Sequence, residues 1–375
     1  MKLFSVYIFL NLTFVLLFAK NLLFDVNPRE GFNLRRDVYI RMVNLVRPLG
    51  WSIILPPLNN TPHWVDPEQV QWMDIFDSHN LNSVISVRDY SPENRQEIQN
   101  SLLTIEIVNN RDFSNTSFDR KHLNVTGPIL NSYQLKINLY ERIQGPHEII
   151  YWTEYLMGLQ DLPENVLLLG AENLIHGEFS QWSREYWIVR KSMRFNKDIY
   201  VKAASFIKEN FQNVPFIAIH LRRGDFLHFS KSPSLDSLKV QIEIIKKLTQ
   251  SENKKIFIAT DDKKAVKNYF GDEVKTYETE TVNEPDAIKA AIEQLVCVYS
   301  DIFIGTDLST FSFRIQEERQ ILQIPKHKTD NMLCNDRDHP NLHSFYDQEE
   351  ERKCQKSNVF DIPSGLIKNN DHEDL

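Results

Sequence analysis

Val214-Pro215-Phe216-Ile217-Ala218-Ile219-His220-Leu221-Arg222-Arg223-Gly224-Asp225-Phe226 is the stretch on which the fold turns. Its first half is a short apolar run marked by proline, the composition of a strand buried on both faces. Its second half brings two arginines and a carboxylate to the point where that strand must end. In open α/β sheets, ligands bind in the crevice beyond the carboxyl ends of the strands. Paired guanidinium groups there suit a phosphate or pyrophosphate, since the planar fork matches phosphate oxygens and keeps its charge. The competing reading is an Arg–Asp ion pair that ties a loop to the fold, and the motif alone does not separate the two.

Outward from this stretch the same rhythm continues. A helix is expected from about 234 to 249, with Leu235, Leu238, Ile242 and Ile245 on one face. A strand at 255–260, closed by Asp261-Asp262, a helix from about 286 to 299 and a strand at 301–305 follow. Ser309 then starts a last helix, its hydroxyl suited to capping the first turn. Strands alternating with helices predict a doubly wound α/β unit. Upstream, 51–55 stops at Pro56-Pro57 and 165–170 is another strand candidate, while 90–165 reads as loops and helices decorating a first domain.

The ends and the composition bound the setting. Lys2, the apolar run 3–18 and small Ala19 are expected to form a cleaved secretory leader, the alternative being an uncleaved signal anchor, for which the run is a little short. No other run is long and apolar enough to cross a membrane, so no stable insertion is expected. Asn59, Asn115 and Asn124 head N-glycosylation sequons. With three cysteines in 375 residues, disulfides are not the scaffold. Cys334 and Cys354 lie in a polar C-terminal segment and form the expected bridge, while Cys297 falls in an apolar helical pattern as a buried thiol. The closing His372-Glu373-Asp374-Leu375 is similar to an endoplasmic-reticulum retrieval signal with its acids exchanged. The net charge of −8 speaks against wholesale nucleic-acid binding.

Near the mature N-terminus stands Asn27-Pro28-Arg29-Glu30-Gly31-Phe32-Asn33-Leu34-Arg35-Arg36-Asp37, followed at helical spacing by Val38, Ile40, Met42, Val43 and Val46. Gly31 is expected to let the backbone turn sharply, and Asn33 offers an amide at a helix entrance, where free N–H groups suit an anion. By itself Glu30 is as readily a carboxylate complementing the helix dipole.

Glu30 to Asn33, His220-Leu221-Arg222-Arg223 and Ser309-Thr310-Phe311-Ser312-Phe313-Arg314 together resemble the protein O-fucosyltransferases, most closely the branch that modifies thrombospondin type 1 repeats. The resemblance runs from Asp25 to Cys354. It implies a GT-B glycosyltransferase, α/β with two Rossmann-like domains facing a central cleft. The leader 1–19 would precede an acceptor-side domain at 20–205, and a GDP-fucose domain at 206–368 would precede the tail 369–375. It implies inverting, metal-independent transfer in the endoplasmic reticulum lumen, with GDP-fucose as co-substrate, no cofactor, and a folded thrombospondin type 1 repeat as acceptor partner. By the same resemblance Glu30 is the base and Arg222 the diphosphate clamp. Gly31, Phe32, Asn33, His220, Ser309, Thr310 and Phe311 line the donor, and Glu293 reads guanine where a relative has Asp. Against that last role stands the commoner fate of a helical Glu, a solvated face.

Some features point elsewhere. Asp336-Arg337-Asp338 fits an acid-x-acid metal signature but lies in a polar segment, and Arg223-Gly224-Asp225 spells an adhesion tripeptide but leaves a buried strand. Arg29 replaces a proline of relatives, and a first-domain disulfide of relatives is missing. The rival readings are a fucosyltransferase with another acceptor, a non-catalytic lumenal binder of folded repeats, and a secreted adhesion protein.

Overall fold

The computed structural model describes residues 20–25, 31–58, 70–106, 129–131, 163–171, 183–228, 232–248, 253–278 and 284–334. They fall into two compact units, 1–196 and 197–375. The expected boundary at 205/206 runs through helix α3 (Lys197–Phe211), which packs within the second unit, so the division precedes the helix. Among the described residues no helix is long and apolar enough to cross a membrane.

The first unit holds a six-stranded sheet of β1 (Asn21–Phe24), β2 (Ser52–Leu55), β3 (Val87–Asp89), β4 (Leu102–Glu106), β5 (Ile129–Asn131) and β6 (Asn165–Leu169). The order is β3-β2-β1-β6-β4-β5, and every pairing is parallel. β1 is central, with Leu22, Leu23 and Phe24 buried on both faces. Parallel strands flanked by helices have no polar face, which is why β1 and β6 read as continuous apolar runs. The sequence missed β1, because its four residues follow closely on the apolar run 3–18. It also took 90–165 for loops and helices, yet β4 and β5 extend the sheet there. Helix α1 (Phe32–Val46) follows β1, and α2 (Arg184–Ser192), capped by the Ser183 hydroxyl on the Tyr186 amide, packs against α1.

The second unit holds a five-stranded parallel sheet of β7 (Ile217–Leu221), β8 (Ile256–Thr260), β9 (Val274–Lys275), β10 (Ile302–Gly305) and β11 (Asn331–Met332). Its order is β11-β10-β7-β8-β9, so the direction of winding reverses between β7 and β10. Ile217, Ile219, Ile256, Ile258, Ile302 and Ile304, alternate residues of three strands, turn one face toward Leu238 and Ile242 of α4 (Leu235–Leu248) and Val266 and Phe270 of α5 (Lys263–Phe270). Leu235 and Ile245 pack against the same cluster, as their helical spacing predicts. α6 (Asp286–Val298) packs on α3 and against β7 and β8, and Phe206 of α3 meets Phe257 edge-on at 5.5 Å. α7 (Thr310–Ile321) follows β10.

Arg319 of α7 fastens this layer together. Its buried guanidinium donates to the carbonyls of Val298 and Ser300 at 2.8 Å, Lys328 at 2.9 Å and Asp301 at 3.2 Å. The carbonyls at the end of α6 thereby find donors in the interior, where an unmet acceptor costs about 1–3 kcal/mol.

Candidate active site

The reversal between β7 and β10 makes the carboxyl ends of these two strands the place where an open α/β sheet binds its ligand. The chain leaves β7 through His220, Leu221 and Arg222, and leaves β10 through Gly305 and Thr306 into the first turn of α7. His220, Arg222, Ser309, Thr310 and Phe311, distant in sequence, are thus gathered at one sheet edge. The His220 ring stacks on Phe311, centroids 4.4 Å apart and planes 25° from parallel. Burial, with the Arg222 charge adding, pushes the imidazole down to about 3, so His220 is neutral at physiological pH.

Thr306 ties the two strand ends together. Its hydroxyl donates to the His220 carbonyl at 2.7 Å and accepts from the Arg222 amide at 3.0 Å. Ser309 occupies the N-cap position of α7, but its hydroxyl accepts no hydrogen bond from the helix, contrary to the expected cap. The first described intrahelical bond runs from the Phe313 amide to the Ser309 carbonyl at 3.1 Å. The amides of Thr310, Phe311 and Ser312 precede it, and such a turn favours negative charge. Leu308, exposed just before this turn, adopts a left-handed φ of 59°, uncommon for a bulky side chain and frequent at ligand-binding turns.

The ion-pair reading of the arginine motif is what the structure displays. Arg222 is mostly buried and bridges Asp225 and Asp261, each at 2.8 Å. Arg223 donates from Nε to Asp262 at 3.0 Å and from its amide to Asp261 at 2.8 Å. Asp261 and Asp262 lie beyond β8 on the same sheet edge, where an acid pair closing an apolar strand was the available signal. A Cβ at residue 224 would come within 2.6 Å of the Asp261 carboxylate oxygen, so a larger residue there would push aside the group that Arg222 and the Arg223 amide hold. The adhesion tripeptide is therefore no free loop tip: Arg223 is held by these contacts and Gly224–His228 forms a short helix.

Glu293 does not lie on a solvated face. It is buried on α6, with Lys263 Nζ 2.6 Å from Oε1, an ion pair without a well-directed hydrogen bond. Burial raises its pKa above the ordinary carboxylate value, with Lys263 opposing and Asp261 adding. One turn on, Cys297 is the buried free thiol expected, its pKa pushed well up by burial and by Glu293.

In the first unit, Gly31 is the N-cap of α1 at φ −73° and ψ 170°, a conformation any residue adopts, so the turn does not use glycine's freedom at this residue. Phe32 and Asn33 are buried in the first turn. Phe32 stacks on Phe76 at 6.0 Å, and Phe76 on Phe195 at 5.5 Å. The Arg36 guanidinium lies 5.3–5.6 Å from all three ring centroids and donates to Asn33 Oδ1 at 3.3 Å. That bond fixes the amide with its oxygen toward Arg36. Glu30, Asn59, Asn115, Asn124 and Cys354 lie outside the described residues. Cys334 is disulfide-bonded, and its backbone exchanges a reciprocal pair of 2.9 Å hydrogen bonds with the Gln241 amide of α4.

Residues 22–322 match the family described as GDP-fucose protein O-fucosyltransferase. The chain belongs to this family. The O-fucosyltransferase is 29% identical to GDP-fucose protein O-fucosyltransferase 2 of Homo sapiens, over 84% of its length and 86% of the relative. It is 30% identical to the protein of the same description from Caenorhabditis elegans, over 84% and 87% of the two chains. Among solved structures, the apo form of POFUT1 superposes with a TM-score of 0.60 at 16% identity, over 82% of this enzyme and 97% of that chain. POFUT1 in complex with GDP-fucose gives 0.58 at 15% identity, over 84% and 97%. That likeness shows the fold, the GT-B class with parallel α/β units, and family membership makes the chain a fucosyltransferase.

Proposed function

We propose that this enzyme transfers fucose from GDP-fucose to Ser or Thr hydroxyls of folded thrombospondin type 1 repeats, with inversion, without a metal, in the endoplasmic reticulum lumen. The observation that carries the donor half is the gathering of Arg222, His220 and the open first turn of α7 at the switch point of the second sheet. Arg222 would take the diphosphate and meet the charge that grows on departing GDP, when a fixed cation helps most. Buried Glu293, whose Oε1 lacks a well-directed hydrogen bond, suits the N1–H and exocyclic amine of guanine, since one carboxylate accepts both. The resemblance to relatives described as O-fucosyltransferase 2 supports the acceptor, and the leader with the closing His372–Leu375 supports the compartment.

The step is a single displacement. The acceptor oxygen bonds to the anomeric carbon as the bond from that carbon to the GDP oxygen breaks, through an oxocarbenium-like state. The acceptor proton passes to a carboxylate, the role of Glu30. Charge stabilisation by Arg222 and the α7 amides is the physical basis for working without a metal.

The test incubates a folded repeat with GDP-fucose and wild-type or Glu30→Gln enzyme, read by mass spectrometry, with GDP binding by calorimetry. The expected result is one deoxyhexose on the wild-type product, undiminished by chelator, and loss of transfer in the variant at unchanged GDP affinity. Binding of GDP without transfer to the repeat would overturn the acceptor, and no binding of GDP would overturn the donor. Resistance of the cellular enzyme's glycans to endoglycosidase H would overturn retention in the endoplasmic reticulum.

A further inference from the structure

Ser312 has no place in the roles so far, yet it sits fully buried between the two strand ends. Its hydroxyl oxygen accepts from the Thr306 amide at 2.9 Å and meets His220 Nδ1 at 2.8 Å. A serine hydroxyl has one proton to give. Among the described residues the only acceptor for it is His220 Nδ1, and a buried O–H left without an acceptor is costly. The proton therefore goes to Nδ1, which must be the bare nitrogen of the ring. The other nitrogen, Nε2, then carries the hydrogen, and it has no hydrogen-bond partner among the described residues.

The surroundings are built for this contact. A Cβ on Gly305 would stand 2.8 Å from both Cβ and Oγ of Ser312, so glycine is what lets the helix approach the strand this closely. Phe311, next in the chain, stacks on the imidazole and sets its plane. Thr306, held by Ser312 through its amide, fixes the backbone on both sides of Leu221.

We propose that Ser312 is a positioning residue that locks His220 as its Nε2–H tautomer and so presents a hydrogen-bond donor to an oxygen of the nucleoside-diphosphate sugar. A ring in the opposite tautomer would turn a lone pair toward the same oxygens and repel them. This rests on the donor reading above, but the tautomer itself requires no ligand. Ser312 acts through His220 and Thr306 and touches no reacting atom.

The experiment uses the full-length chain labelled with 15N on the histidine rings, the His220 signals being identified by their loss in His220→Asn. At neutral pH the wild type is expected to show Nε2 protonated and Nδ1 bare. Ser312→Ala should give a mixture of tautomers and raise the KM for GDP-fucose about tenfold, the worth of one well-placed hydrogen bond, with kcat within about twofold. Thr306→Val, which retains the Ser312 contact to the ring, should keep the tautomer, and Thr306→Ser should restore whatever affinity the valine loses. A Nδ1–H ring in the wild type, or a Ser312→Ala enzyme with the wild-type tautomer and KM, would overturn the proposal. Because the ring signals are recorded without donor, a failure of GDP to bind would count against the donor reading and leave the tautomer result standing.

Discussion

Three buried or half-buried titratable side chains show how strongly local surroundings act in this molecule. His220 is neutral because burial removes the water that would solvate its cation. Glu293 is raised by the same effect acting on an anion. Asp89, at the carboxyl end of β3, is the third: burial pushes it from 3.8 up to about 6, Asp74 adding, while the backbone of Met73 and Trp72 opposes. Since the folded-state value lies above the unfolded one, its favourable contribution is complete below pH 3.8 and is lost as the pH rises through about 6. Asp89→Asn removes the ionisation and should stabilise the protein at pH 7 but not at pH 4. A shift of about two units corresponds to about 3 kcal/mol for a fully buried group, and partial exposure reduces the expected gain to about 1–2 kcal/mol. Urea unfolding of both proteins at the two pH values measures it, and a difference independent of pH would contradict the assignment.

At the scale of elements, α7 approaches β10 closely at Gly305. A Cβ on Gly305 would lie 2.8 Å from Ser312 and 3.1 Å from the Met332 sulfur, and two buried neighbours cannot both yield. Gly305→Ala is expected to cost about 1–3 kcal/mol, the usual penalty for overpacking, and to weaken GDP binding because the first turn of α7 must move. Thermal unfolding and calorimetry on one preparation decide it, and an unchanged melting temperature would show that the junction relaxes freely. The long central elements were legible in the sequence because each is a run of one character. β7, β8 and β10 are continuous apolar stretches, and α4 and α6 carry the helical repeat. β3, β9 and β11 have two or three residues, too few for any period to appear. His220 and Arg222 were legible as polar residues placed at a strand's end. Thr306 and Ser312 were not, because a serine in a first helical turn looks like any other, and its partner lies 92 residues away.

For the whole molecule, the division into two units gives donor binding an uneven signature. A ligand that binds only the native state stabilises it by about 2.7 kcal/mol at a concentration one hundred times its dissociation constant. Global stabilisation of this kind does not say where the ligand sits, whereas hydrogen exchange does, since segments open with their own free energies. If the diphosphate lies at the reversal of the second sheet, GDP should slow exchange most at 220–222 and 306–312, with a smaller effect around Glu293 on α6. The far edge of the same sheet, at β9, should exchange as before, because no proposed contact reaches it. Protection confined to the first unit would instead remove Arg222 as the clamp. The exchange pattern of the free and GDP-bound enzyme, mapped by mass spectrometry at peptide resolution, separates these outcomes without any acceptor, because binding of the nucleotide alone should order the strand ends that GDP-fucose would use.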